Sequence, residues 1–239
     1  MGNSKAWIFT IIVVSGIFYL GSPYRDFFYL WKGARGIDLS HHQGQIDWSK
    51  TTSSNLAFAY IKATEGGDFA DPAFKRNWKA ARDAGLIVGA YHFFSICRPV
   101  AIQAENFLRI LPPDHGQLPP VIDVENEGGC NMVNTPKDIE RQIYTLSNII
   151  EKKTGCRPII YAPSRFEAGL ITVMDRDQKY WVPSQFWPPS FQNRNWIFWQ
   201  YKSTGSVKGI STDVDLNVFR GTPQDLATWV EQHPCFKQD

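Results

Sequence analysis

Asp123 and Glu125 flank a single valine at the end of the apolar run Pro120-Val121-Ile122. If that run is a strand, residues i and i+2 point to one side of it, roughly 6.5–7 Å apart. Apolar surroundings disfavour the charged form of a carboxyl, and a second carboxylate nearby disfavours it further. Such a pair can divide into one protonated acid and one anion, the division of labour that cleavage of a glycosidic bond requires. Asp-x-Glu is by itself a common tripeptide. The apolar strand before it is what gives it weight, and a solvated strand end carrying two surface acids is the equal alternative. Two more acids occupy comparable places: Asp38 follows the short run Gly36-Ile37, and Asp215 lies within the strand-like stretch 214–218.

Other reactive residue types carry less. His41 and His42 are adjacent rather than at metal-ligand spacing, and there is no HExxH, so no metal or other cofactor is expected. His92 follows Tyr91 at the end of the apolar run 86–94 and either lines a site or is a core histidine with satisfied hydrogen bonds. No GxSxG elbow, GxGxxG or GxxxxGK[ST] occurs. The chain has nine tryptophans, and aromatic residues crowd the stretch 181–201. Most of these belong in a core and the remainder at a site mouth, with Trp181 and Trp199, near strand ends, best placed to stack on sugar rings.

The elements that must position these groups alternate in type. Strand-like runs at 36–39, 56–61, 86–94, 120–125 and 158–161 are interleaved with helical patterns. Asp71-Pro72 opens one helix, with Phe74, Trp78 and Ala81 on a single face and Gly85 as its end. A second, 102–111, stops at Pro112-Pro113, and Thr135-Pro136 caps a third that runs to Lys153 before Gly155. Stretches 180–182, 196–201 and 214–218 then read as strands without intervening helices, and 222–232 closes as a helix. Strand–helix alternation predicts parallel strands buried on both faces. About eight strands with some five crossover helices predict an α/β fold, an irregular (β/α) barrel; a flavodoxin-like open sheet is the runner-up. In such barrels catalytic groups sit at the C-terminal strand ends, and the first and last strands lie side by side. Asp38 and Asp215 are therefore expected at one mouth with Asp123 and Glu125.

The 239 residues, 43% of them hydrophobic, suffice for one domain or two small ones with a sizeable core. Twenty-five basic against 23 acidic residues, a net charge of +2, leave no electrostatic footprint for nucleic acid. Residues 7–20 contain no charge. The run is shorter than the roughly 20 residues that span a bilayer and fits a signal-peptide core or a short signal anchor. Tyr19-Leu20-Gly21-Ser22-Pro23 is a poor cleavage site, and a second apolar cluster, 27–31, would lengthen an anchor. An uncleaved anchor is therefore preferred to a cleaved signal or a buried helix, dividing the chain into an N-terminal segment, 1–32, and a catalytic domain, 33–239. Gly2 is no myristoylation site, because position 6 is Ala. Export implies an oxidising compartment. Cys97, Cys130, Cys156 and Cys235, none spaced as CxxC, are read as disulfide partners rather than nucleophiles.

Seven blocks, in order from about residue 35 to 220, together resemble glycoside hydrolase family 25 lysozymes. They are Gly36-Ile37-Asp38-Leu39-Ser40-His41-His42-Gln43-Gly44 with Ile46-Asp47-Trp48; Phe58-Ala59-Tyr60-Ile61-Lys62-Ala63-Thr64-Glu65-Gly66 with Phe69 and Asp71; Gly89-Ala90-Tyr91-His92-Phe93; Val121-Ile122-Asp123-Val124-Glu125; Pro158-Ile159-Ile160-Tyr161; Trp199-Gln200-Tyr201; and Gly209-Ile210 with Val214-Asp215-Leu216-Asn217. The resemblance implies five β/α units followed by three strands, and an N-acetylmuramidase cutting the β-1,4 bond between N-acetylmuramic acid and N-acetylglucosamine in peptidoglycan. By position Glu125 resembles the general acid, Asp123 the residue supporting the 2-acetamido group or the developing cation, and Asp38 and Asp215 the flanking acids. Tyr91, Tyr161, Trp181 and Gln200 match a sugar-binding groove, which His92 would join. Many relatives carry an aromatic where this chain has His42, which alters one sugar subsite.

The i,i+2 spacing falls between the carboxyl separations of retaining and inverting enzymes; retention with the substrate's own acetamido group as nucleophile is the expected route. A chitinase-like glycosidase and a non-catalytic peptidoglycan-binding protein on the same barrel remain the alternatives. On the barrel frame Cys97 and Cys130 fall on the catalytic rim and Cys156 and Cys235 at the opposite end, which predicts the pairs Cys97–Cys130 and Cys156–Cys235. The expected partners are peptidoglycan glycan strands and, through the N-terminal segment, a membrane. No cell-wall-binding repeat occurs in residues 220–239, and anchoring would keep the enzyme near its substrate. The expected state is a monomer, membrane-anchored or exported, facing the periplasm or cell wall.

Overall fold

The computed structural model describes residues 27–112, 118–125, 135–163, 174, 176–189, 196–233 and 235. The apolar run 7–20 and Cys130 lie outside these residues. The strands are β1 (Arg35–Leu39), β2 (Phe58–Glu65), β3 (Phe69–Ala70), β4 (Ile87–Phe93), β5 (Val121–Asp123), β6 (Ile159–Tyr161), β7 (Tyr180–Pro183), β8 (Trp196–Gly205) and β9 (Val214–Phe219). The helices are α1 (Phe27–Lys32), α2 (Trp48–Thr51), α3 (Phe74–Asp83), α4 (Val100–Ile110), α5 (Pro136–Thr154) and α6 (Pro223–Gln232).

Strand order is β1-β9-β8-β7-β6-β5-β4-β2, and β1 also pairs with β2. The sheet therefore closes into a barrel, and the open-sheet alternative falls. Among the described residues β3 pairs only with the end of β2. Neighbours are parallel from β1 through β2 and β4 to β8. β9 alone runs antiparallel to both of its neighbours, β8 and β1. Helices α2, α3, α4 and α5 carry the connections between β1, β2, β4, β5 and β6; residues 164–173, between β6 and β7, lie outside the described residues.

Local chemistry sets the helix ends. Thr135 accepts a hydrogen bond from the Asp138 amide while the Asp138 carboxylate accepts from the Thr135 amide, Pro136 occupies the first turn, and Gly155 ends α5 in the left-handed region at φ 70°. Thr222 and Asp225 repeat the same box at α6. α3 begins at Phe74, later than the Asp71-Pro72 signal predicts. Asp71 is occupied elsewhere: Oδ1 accepts from the Ala73 amide in a local turn, and Oδ2 accepts from the His41 amide at 2.8 Å.

Two apolar layers follow from the strand period of two. Ile37, Leu39, Ala59, Ile61, Val88, Ala90, Ile122, Ile160, Val182 and Trp199 belong to the outer layer, against the helices. Phe58, Tyr60, Val121, Ile159, Trp181, Phe198 and Phe219 fill the interior, and Ala34, Leu226 and Trp229 close its base. The aromatic plug requires glycine beside it. A Cβ on Gly36 would stand 2.4 Å from the Phe58 ring, and one on Gly89 would stand 2.3 Å from the Tyr60 ring. A disulfide joins Cys156, before β6, to Cys235, beyond α6, and so staples the closing helix to the base. Among the described residues no helix is long and apolar enough to cross a membrane.

Candidate active site

The plug fills the lower part of the barrel and leaves the mouth open. There the interior positions turn polar. Asp38 ends the inward face of β1, Asp123 that of β5, and Glu125 lies two residues on. Asp215 sits directly opposite Asp38 in the β1–β9 register. Because β9 is reversed, its N-terminal part lies at the same mouth as the C-terminal ends of the parallel strands. All four acids line one cavity of about 280 Å³, with Ser40, His42, Gln43, Lys62, Tyr91, Phe93, Tyr161, Trp181 and Gln200.

A continuous hydrogen-bond chain holds Asp38. The Trp181 indole donates to Asn217 Oδ1 at 2.9 Å. An indole N–H can only donate, so the Asn217 amide is oriented with Nδ2 towards Asp38, where it donates to Oδ2 at 2.7 Å. From the other side the Tyr161 hydroxyl donates to Gln200 Oε1 at 3.0 Å, and Gln200 Nε2 donates to the same Asp38 Oδ2 at 3.2 Å. Burial raises Asp38 above the ordinary carboxyl range, against the pull of these donors. Burial and the Asp38 charge push Asp215 up to about 9, so the proton of this pair rests on Asp215, which donates it to Asp38.

Asp123 is different. Its Oδ1 is buried and has no hydrogen-bond partner among the described residues. Burial first, then the neighbouring carboxyls of Glu125 and Asp38, hold it well above the usual range, and the Lys62 ammonium opposes them. Lys62 lies 2.6 Å from Glu65 Oε2, and its Nζ sits over the Phe93 ring at 4.8 Å. Burial also drives the Tyr91 and Tyr161 hydroxyls upward, so both remain protonated donors.

Three expectations change. His92 does not line the cavity. It follows inward-facing Tyr91 on one strand and so faces outward, fully buried, with Nδ1 2.8 Å from Thr64 Oγ1 and Nε2 3.1 Å from Gln103 Oε1. Burial lowers its pKa to about 4, so it stays neutral. Strict alternation from Tyr91 is the signal that excludes it. Trp181 reaches the cavity but offers no stacking face: it is 2% exposed, packed between the Tyr60 and Tyr161 rings, and acts through its N–H. Trp199 lies in the outer layer, its Nε1 donating to the Ser184 carbonyl at 2.6 Å. Exposed aromatics among the described residues include Phe69, whose ring lies 5.6 Å from that of His41, and Phe186 and Trp187, just beyond β7.

Lys62, Gln43, Ser40, Phe93 and Asn217 were not singled out as site residues from the sequence. Lys62 is legible in retrospect as a lone lysine in phase with inward-facing Phe58 and Tyr60, and Asn217 as i+2 of Asp215. Among the described residues no group of three His, Cys, Asp or Glu side chains is placed to hold a metal.

Comparison with known proteins agrees with this geometry. The family model "Glycosyl hydrolases family 25" matches residues 37–210. Lysozyme M1 of Streptomyces globisporus is 36% identical over 214 residues, covering 81% of this chain and 70% of that protein. A family 25 glycosyl hydrolase from Bacillus anthracis superposes with a TM-score of 0.75 at 34% identity, covering 82% of this chain and 93% of the other. A bacterial lysozyme from Streptomyces coelicolor gives 0.76 at 32% identity, covering 84% and 98%. The chain belongs to glycosyl hydrolase family 25.

Proposed function

We propose that this family 25 hydrolase is a peptidoglycan N-acetylmuramidase in which Glu125 is the general acid and Asp123 positions the substrate's 2-acetamido group. The observation that carries the division of roles is the buried Oδ1 of Asp123 at the mouth, which has no partner among the described residues. A buried acceptor without a donor is costly, and an acetamido N–H is a donor of the right kind. Accepting that N–H turns the acetamido oxygen towards the anomeric carbon. Glu125, lining the same cavity, gives its proton to the departing glycosidic oxygen as the acetamido oxygen attacks. The Glu125 carboxylate then takes a proton from the water that opens the cyclic intermediate. Two inversions give net retention. Asp38, held by Asn217 and Gln200, supplies negative charge near the developing cation. His42 on the cavity wall shapes one sugar subsite.

The charge-free run 7–20 serves as an uncleaved anchor that holds the exported domain at a membrane facing the wall.

The test is muropeptide analysis after digestion of purified peptidoglycan by the wild type and Glu125→Gln. Wild-type enzyme releases fragments with reducing muramic ends; the variant is slower by about 10²–10⁴-fold, the usual share of a general acid. Identical profiles would end the assignment. Early-time NMR of the same digestion is expected to show the β anomer first, and a first-formed α anomer would sink substrate assistance.

A further inference from the structure

The end of the barrel opposite the mouth carries its own exposed apolar patch. α1 (Phe27–Lys32) lies where β1 enters the barrel, and it is fixed to the base along one face. Tyr29 meets the Trp196 ring edge-on at 5.8 Å, and Tyr29 and Leu30 pack against the core. The Gly33 amide donates to the Tyr29 carbonyl at 2.8 Å, and the Ala34 amide to the Gly221 carbonyl at 2.7 Å. On the other face Phe28 is 47% exposed and Trp31 81%. Their i,i+3 spacing makes them neighbours on one helical face. The exposed cations Lys32 and Arg35 adjoin them, and Arg35 donates to the Leu30 carbonyl at 3.4 Å.

Two aromatics beside two cations match the headgroup boundary of an anionic bilayer, where aromatic side chains bury apolar area and cations meet phosphate. Chain length restricts the occupant further. Residues 21–26 separate the charge-free run from α1, and fully extended they reach roughly 20 Å. If the run sits in a bilayer, α1 is held at its surface. We infer that Phe28 and Trp31 dock the base of the barrel onto the lipid surface, so that the catalytic mouth points away from the membrane towards the wall. This rests on the anchoring function proposed for residues 7–20 and adds to it a fixed orientation.

The experiment uses the full chain reconstituted in vesicles of phosphatidylethanolamine and phosphatidylglycerol, with lipids brominated high on one acyl chain as the quencher. Trp7→Phe is the background, removing the tryptophan of the anchor itself. Vesicle flotation reports anchoring, and tryptophan quenching reports orientation. The expected result is flotation, with quenching that is lost on adding Trp31→Phe and unchanged on adding Trp187→Phe, which reports on the mouth. Both replaced side chains are exposed, so the fold tolerates them. Flotation with quenching that ignores Trp31 overturns the docking while anchoring stands; this is also the outcome if the apolar run folds over α1. Quenching that depends on Trp187 overturns the orientation. Failure to float removes the anchor and the docking together.

Discussion

Asp38 and Asp215 face each other across the β1–β9 pair and share one proton. Two carboxylates so close cannot both ionise cheaply. The Trp181–Asn217 and Tyr161–Gln200 chains decide which one does, because both end as N–H donors on Asp38 Oδ2. Asp215→Asn would keep a donor opposite Asp38 and remove the titration. Folded Asp215 titrates at about 9 against 3.8 for the free side chain. Between these values the native state binds more protons than the unfolded chain, so this residue's contribution to stability falls as pH rises from about 4 to about 9. The variant lacks that slope. It is expected to match the wild type at pH 4 and exceed it at pH 8 by on the order of 1 kcal/mol, the gain typical of relieving active-site strain. Thermal melts at the two pH values check this; a variant that is less stable at both would show that Asp215 acts as a charged partner.

At the scale of the strand, the period of two sorts site from core. Asp123 and Glu125 face in while Val124 faces out; Tyr91 lines the cavity and His92 is buried behind it. His92 then becomes a structural residue tying β4 to β2 and α4 through Thr64 and Gln103. His92→Leu is expected to cost about 1–3 kcal/mol, because it takes the hydrogen-bond partner from the buried Thr64 hydroxyl, while Gln103 Oε1 keeps the Ser95 amide as donor, with kcat of the folded enzyme unchanged. The pH dependence has the sign opposite to that of Asp215. Folded His92 titrates at about 4 rather than 6.5, so the unfolded chain binds more protons in between, and wild-type stability is lost as pH falls through that window. The variant loses this dependence. Urea denaturation at pH 7 and pH 5, beside kinetics, is the check; a fall in kcat at normal stability would return His92 to the site.

For the molecule as a whole, closure is what assembles the site. Asp38 and Asp123 end parallel strands, but Asp215 reaches them only because β9 is inserted in reverse between β1 and β8. α6 follows β9 and closes the base with Leu226 and Trp229, and the Cys156–Cys235 link holds that closure. Its sequence separation of 79 residues corresponds, in the chain-entropy account, to about 4–5 kcal/mol. Cys156→Ser with Cys235→Ser is therefore expected to lower Tm by roughly 10 °C while leaving room-temperature turnover intact, since the link lies opposite the mouth. Calorimetry and turnover assays on the double variant decide; an unchanged Tm would mean that α6 packing alone secures the base.

The amino-acid sequence by itself determined the alternation of strands and helices, a preference for a barrel over an open sheet, the four candidate acids and the residues that resemble family 25. All of these rest on local information: apolar periodicity, capping residues and short motifs. It could place Asp123 beside Glu125, because two residues on one strand are neighbours by covalent geometry. The tertiary structure alone decided that Trp181 acts through its N–H and not its face and that Trp199 belongs to the outer layer, and it brought Asn217 and Lys62, which strand phase only hints at, to the four acids. The reason is common to all of them: a side chain's role depends on which strand closes beside it, and Asp123 and Glu125 gain Asp215 as a neighbour only because β9 turns back between β8 and β1.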